Sequence, residues 1–173
     1  MNKAIFILGI LFAVQACTDN QVKEVHPGIY ILDNKQAIQT FDDLSLSMEG
    51  KPFFLDRWAS WCSPCIEEFG HVEPLHAFLK DHQINMVYLN SDGDLEKEAW
   101  IDFIVEHKLK GYHLRLDSTL QADMSKRLIF IPIIPQYLIV GKDGEILEKD
   151  AMRPSAGEEL YKQLRESLKL QVH

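Results

Sequence analysis

Three cysteines among 173 residues are too few for a disulfide-stapled scaffold, and an odd number leaves one outside any pair. Basic charge is also short: 18 Lys and Arg stand against 26 Asp and Glu, a formal net charge of −8. That balance argues against a phosphate-backbone binder, which would carry a basic face. Long apolar runs are missing too. The longest, Ala4 to Val14, has eleven residues, whereas a membrane-spanning helix needs about 20. No internal repeat and no low-complexity tract appears, which disfavours solenoids and disordered arrays. What remains is ordinary: 46% hydrophobic and 25% charged residues, the profile of one globular domain. A chain of this length buries about two-thirds of its unfolded surface and needs no staples.

The first cysteine follows a segment of distinct character. Lys3 supplies a charged start, Ala4 to Val14 an apolar core, and Ala16 a small residue just before Cys17. This is the anatomy of an export signal. Val14-Gln15-Ala16-Cys17 resembles the lipobox of bacterial lipoproteins, which implies lipidation of Cys17 and an anchor in a bacterial membrane. The expected organisation is a signal peptide over 1–16, a lipidated cysteine and tether over 17–30, and one folded domain over 31–173. Ordinary signal cleavage nearby, leaving Cys17 a free thiol, is the competing reading. Either places the domain in an extracytoplasmic, oxidising space, where a working dithiol has to be kept reduced.

Within the domain, strands alternate with helices. Pro52 to Trp58 is an apolar, aromatic run behind the turn Glu49-Gly50-Lys51-Pro52, suited to a buried strand. Ser63 to about Lys80 repeats apolar residues at helical spacing, with Pro64 in the first turn, where proline is tolerated. Ile84 to Leu89 and Tyr112 to Leu116 read as strands, and helices are expected from Asp94 to about Lys108 and from Thr119 to Leu128. Gln136 to Val140 and Glu145 to Lys149 flank the hairpin turn Lys142-Asp143-Gly144. Ser155-Ala156-Gly157-Glu158 has capping-box spacing ahead of a terminal amphipathic helix. The pattern is an α/β sandwich with a mixed sheet.

The other two cysteines stand at a strand-to-helix junction, in Trp61-Cys62-Ser63-Pro64-Cys65. There the first sulfur faces unpaired N–H groups and the positive end of the helix dipole, which favour the attacking thiolate. The second, one turn on, can resolve a mixed disulfide. Cys62 is therefore expected to be the nucleophile and Cys65 the resolving thiol. Three other uses of the pair are weaker. A zinc site lacks ligands, because His71 and His76 are rotated about 140° apart on a helix. A purely structural disulfide gains little from so short a loop. A peroxidatic site would want a distant resolving cysteine.

Trp58-Ala59-Ser60-Trp61-Cys62-Ser63-Pro64-Cys65 resembles the active site of thioredoxin-fold proteins. Its surroundings resemble those of the TlpA-like and ResA-like thiol-disulfide oxidoreductases of bacterial envelopes: Gly50-Lys51-Pro52, Glu67-Glu68-Phe69, and Ile134-Pro135-Gln136-Tyr137 through Lys142-Asp143-Gly144. The resemblance covers roughly residues 36–170. It implies a three-layer α/β/α sandwich with a central mixed sheet, and a helix-strand insertion over Trp100 to Leu114. It assigns Asp56 as a buried acid relaying a proton to and from Cys65, and Pro135 as a cis-proline beside the sulfurs. Trp61, Ser63, Pro64 and Ile134 would join Pro135 in contacting substrate, and Glu68 would tune the centre. No metal, flavin or nucleotide is implied, since the dithiol carries the electrons. Partners would be disulfide-bearing envelope proteins and an upstream membrane electron donor. A reductase direction is expected, with oxidation or isomerisation less so, and cytochrome c maturation is one setting.

Some positions depart from the family's pattern. Gly70 replaces a proline that kinks the active-site helix, so the kink is absent, softened or moved toward Pro74. Ile133 replaces a glycine, Pro132 stiffens the same loop, and Gly141 replaces an aspartate. Arg57 lies in a strand expected to be covered on both faces, and its burial requires a partner. The alternative function is a non-catalytic lipoprotein chaperone that binds partners through an apolar groove.

Overall fold

A computed structural model describes residues 22–32, 38–93, 97–127, 129, 131 and 133–170. Cys17, Asp94 and Pro132 lie outside these residues. The elements run β1 (Val22–His26), β2 (Ile29–Leu32), α1 (Phe41–Ser47), β3 (Phe53–Trp58), α2 (Ser63–Phe69), α3 (Val72–Asp81) and β4 (Asn85–Asn90). They continue with α4 (Lys97–Glu106), β5 (Gly111–Arg115), α5 (Ser118–Lys126), β6 (Gln136–Val140), β7 (Ile146–Glu148), a 3₁₀ turn (Pro154–Ala156) and α6 (Glu158–Ser167).

The seven strands form one sheet in the order β1-β2-β5-β4-β3-β6-β7. The β2/β5, β5/β4 and β4/β3 pairs are parallel, while β1/β2, β3/β6 and β6/β7 are antiparallel. This is the expected mixed sheet. Strand β3, central and covered on both faces, alternates its side chains between two cores. Phe53 and Leu55 point to the side of α1 and α5, where they pack with Phe41, Leu44, Leu120 and Met124. Phe54 and Trp58 point to the opposite side and pack with Leu75, Leu79, Ile104, Leu160 and Leu164 of the other helices. By the two-residue period of a strand, Asp56 shares the second face. The helices on either side complete the three layers.

Several boundaries differ from those read in the sequence, each for a physical reason. Val22–His26, read as part of the tether, pairs antiparallel with β2. The connecting turn works because Gly28 takes φ of +79°, a conformation that only glycine adopts freely. The stretch ahead of the Glu49-Gly50-Lys51-Pro52 turn contains α1, whose start is fixed by a capping box between Thr40 and Asp43. The helix expected from Ser63 to Lys80 is two helices, broken at Gly70-His71. Pro74 is one turn into α3. Its ring cannot donate to the carbonyl of Gly70 and would clash with it, so the break falls where the proline dictates. Finally, Ser155 does not cap the last helix. Gly157 stands at its N-terminus without a side-chain cap, and Ser155 is used elsewhere.

Candidate active site

The chain leaves the sheet centre at Trp58, makes a short turn in which Cys62 N–H donates to the Ala59 carbonyl (3.1 Å), and enters α2. Cys62 is the N-cap of that helix, and its sulfur accepts from the Cys65 N–H at 3.3 Å. Pro64 occupies the first turn, where its missing N–H costs nothing. Cys62 and Cys65 are joined by a disulfide with a Cα–Cα separation of 5.3 Å. The two sulfurs differ in access: Cys62 retains 5% exposure, while Cys65 has none. Beside them Trp61 is 70% exposed, an unusual position for the largest apolar side chain. Ser63 and Pro64 are exposed as well.

Asp56 lies fully buried in β3. Neither carboxyl oxygen has a hydrogen-bond partner among the described residues. Burial raises its pKa well above the usual carboxylate range, and the negative charge of Glu68 adds to the effect. Tyr137 of β6 and Tyr88 of β4 flank Asp56 in register. The Tyr137 hydroxyl likewise has no partner among the described residues. The Tyr88 hydroxyl pairs with His76 Nε2 at 2.9 Å.

Glu68 is not a solvated helix-face charge. It is 6% exposed and accepts from the Ser155 N–H at 2.8 Å and the Ser155 hydroxyl at 2.9 Å. Arg153 approaches it at 3.6 Å. These bonds tie α2 to the 3₁₀ turn and explain why Ser155 is unavailable as a cap.

The Ile134-Pro135 peptide bond is cis, at the entrance to β6 and next to β3. Ile133 is 67% exposed and Ile134 half-buried. The loop before them is held by neighbours on both sides. Gln136 Nε2 donates to the carbonyls of Ile129 (2.7 Å) and Lys149 (3.0 Å). Arg57, whose partner the sequence left open, donates to Ser91 Oγ (3.3 Å), the Ile131 carbonyl (3.0 Å) and Gln136 Oε1 (3.4 Å). Sequence reasoning also passed over Asp92, 6% exposed, which sits at the end of β4 and bonds the chain just before Cys62. The signal available was Asn90-Ser91-Asp92-Gly93 directly after a buried strand, a composition that reads as an ordinary loop.

Among the described residues no helix is long and apolar enough to cross a membrane.

The comparisons with known proteins agree with this geometry. A thiol-disulfide oxidoreductase ResA of Bacillus thuringiensis subsp. konkukian (strain 97-27) is 27% identical over 123 residues, 70% of this chain. The match spans 64% of that relative's length. The solution structure of a candidate thiol-disulfide oxidoreductase from Bacteroides vulgatus superposes with a TM-score of 0.60 at 29% identity. That alignment covers 75% of this chain and 81% of the other. A thiol-disulfide oxidoreductase from Bacteroides fragilis NCTC 9343 gives a TM-score of 0.54 at 26% identity, over 69% and 82% of the two chains. The Thioredoxin-like family model matches residues 50–146, which include β3, the cysteine pair and the cis-proline, and the chain belongs to that family.

Proposed function

We propose that this protein is a thiol-disulfide oxidoreductase of the cell envelope, working as a reductase of protein disulfides. The observation that carries the reading is the Cys62–Cys65 pair at the first turn of α2, on the sheet face that buries the unpartnered carboxyl of Asp56. The names of the ResA relatives and of the Bacteroides fragilis structure support it.

In the reduced protein, Cys62 attacks as thiolate on one sulfur of a substrate disulfide. The substrate S–S bond breaks, a mixed disulfide forms, and the departing substrate sulfur takes up a proton. Asp56, whose raised pKa makes it the stronger base, accepts the proton of Cys65. The Cys65 thiolate then attacks the Cys62 sulfur, and the bond from Cys62 to substrate breaks. The second substrate sulfur takes up a proton from solvent so that the substrate leaves as a dithiol, and the disulfide seen in the structure remains. Two electrons have passed to substrate, and a membrane dithiol donor restores the pair. Trp61, Ser63, Pro64, Ile134 and Pro135 receive the substrate chain. Proline at 135 has no N–H, which leaves the backbone of Ile134 to pair with an extended substrate. Glu68, held by Ser155, keeps a charge near Asp56. Cys17 carries the lipid that tethers the domain to a bacterial membrane, facing the periplasm. Apocytochrome c is a substrate of suitable chemistry, because its paired haem-attachment cysteines react only when reduced.

Cys62→Ser should abolish reduction of a disulfide-bonded test protein while the thermal unfolding of the variant stays cooperative. Retained reduction rates would refute the mechanism. A Cys65→Ser variant should stall as a mixed disulfide on Cys62 and so identify partners in the native cell. If a variant lacking both sulfurs kept its cellular role, the protein would instead be a binding module.

A further inference from the structure

The end of β4 grips the end of β3 at the one place where the chain turns toward Cys62. Ser91 N–H donates to the Trp58 carbonyl at 2.8 Å. One residue on, the Asp92 carboxylate receives three donors. Ser60 N–H reaches Oδ2 at 2.9 Å and Oδ1 at 3.2 Å, the Ser60 hydroxyl reaches Oδ1 at 3.1 Å, and Asn90 Nδ2 reaches Oδ2 at 2.6 Å. Asn90, fully buried, also accepts from the Asp92 N–H at 3.2 Å, which locks the carboxylate in place. Arg115 of β5 donates to the Asp92 carbonyl at 3.3 Å and lies over the Trp100 ring at 6.0 Å.

We propose that Asp92, set by Asn90, is a positioning residue for the redox centre: by fixing the peptide of Ser60 it sets the angle at which the chain enters α2. The proposal rests on the reading of Cys62 as the attacking thiol. Because Cys62 is the N-cap, its sulfur lies against the first N–H groups of α2 only while the preceding residues hold their course. A loosened Ser60 lets the sulfur drift from those donors, the thiolate loses stabilisation, and the dithiol becomes harder to form.

Asp92→Asn tests this in the full-length protein. It preserves volume but turns one acceptor oxygen into a donor facing other donors. Asp56, Glu68 and Arg153 stay unchanged. The expected result is that Cys62 alkylation requires higher pH than in wild type. The equilibrium with glutathione should also move at least tenfold toward the disulfide, which is about 30 mV for a two-electron couple. Loss of a nearby negative charge acts in the opposite direction, so a downward move of the alkylation profile overturns the proposal as surely as no move. Asp123→Asn is the control. That carboxylate accepts from the Phe41 N–H at 2.9 Å and pairs with Arg127 at 3.0 Å. Its loss should lower thermal stability and leave both redox readouts within twofold of wild type. If Asp92→Asn does not fold, Ser60→Ala removes one of the three donors. It should move both readouts in the same direction by less, and an unchanged profile there overturns the proposal. Failure of the underlying functional reading shows separately, as a wild-type protein that does not reduce disulfides.

Discussion

Asp56→Asn is the sharpest test of how the centre is built, because its effect changes with pH in a way that a packing defect does not reproduce. In the oxidised protein the Asp56 carboxyl is fully buried and has no hydrogen-bond partner among the described residues. Burial first, and the Glu68 charge second, raise its proton affinity well above that of the unfolded chain. A group with a raised native pKa contributes its full stability below the unfolded pKa and loses it as pH rises toward the native one. Over that interval the folded protein binds one more proton than the unfolded one, so stability falls by about 1.4 kcal/mol per pH unit. The interval opens near the ordinary aspartate value of about 4. Asparagine has no proton to gain. As pH rises above that value the variant should therefore gain on wild type by up to about 1.4 kcal/mol per pH unit until the native carboxyl ionises. In a domain of this size each such unit corresponds to about 3–6 °C in Tm. Urea titrations of both oxidised proteins at half-unit steps of pH measure the difference directly. Parallel stability curves, or a variant that loses ground as pH rises, would refute an Asp56 that is protonated in the native fold.

The same substitution should act against turnover, lowering reduction of substrate disulfides by a factor of about 10² or more, the usual contribution of a positioned base. Comparison of single-turnover rates above pH 7 checks it. His113, fully buried with Nε2 against the Leu109 carbonyl at 2.7 Å, is pushed down to about 4 mainly by burial. Its native pKa is depressed, so stability should fall as pH drops from about 6.5 to 4, by about 3 kcal/mol in total. Acid unfolding of His113→Gln should show that part of the slope removed. Phe69 meets Trp58 at 5.3 Å and both Tyr88 and Phe103 at 6.4 Å. Phe69→Ala should cost about 3–5 kcal/mol in chemical unfolding, since it empties the seam between α2 and the sheet. Thr40→Ala removes the side-chain half of the α1 capping box and should cost about 1 kcal/mol.

The legible parts of this fold were those written in short, local patterns. Phe53–Trp58 reads as a buried strand because its apolar residues run without interruption behind a turn. The cysteine pair reads as a helix start because proline and serine stand between the sulfurs. Elements whose definition depends on distant residues were not legible. The mostly exposed Val22–His26 strand exists because β2 offers it an edge, and its own sequence is that of a polar tether. Arg57 is accommodated by oxygens from Ser91, Ile131 and Gln136, up to 79 residues away. Ser155 has the spacing of a cap but is drawn to Glu68, 87 residues distant, because a buried carboxylate needs donors more than an exposed helix end needs a cap. Asp56 could be placed on its strand from sequence, yet its lack of a partner is a property of the assembled core. Asp92 is the complementary case: a residue typical of turns whose function is visible only once β3 and β4 are adjacent.

The pairing of β3 with β6 also bears on how the protein is made. Arg57 and Gln136 are opposite one another in the sheet but 79 residues apart in the chain. A polypeptide made from its N-terminus presents both cysteines well before the strand and the proline loop that complete their surroundings. During that interval the two thiols have no cis-proline loop beside them to select a partner. A chain made from its N-terminus therefore carries its dithiol before it has the surfaces that select a partner, and any oxidant present meets the two sulfurs first.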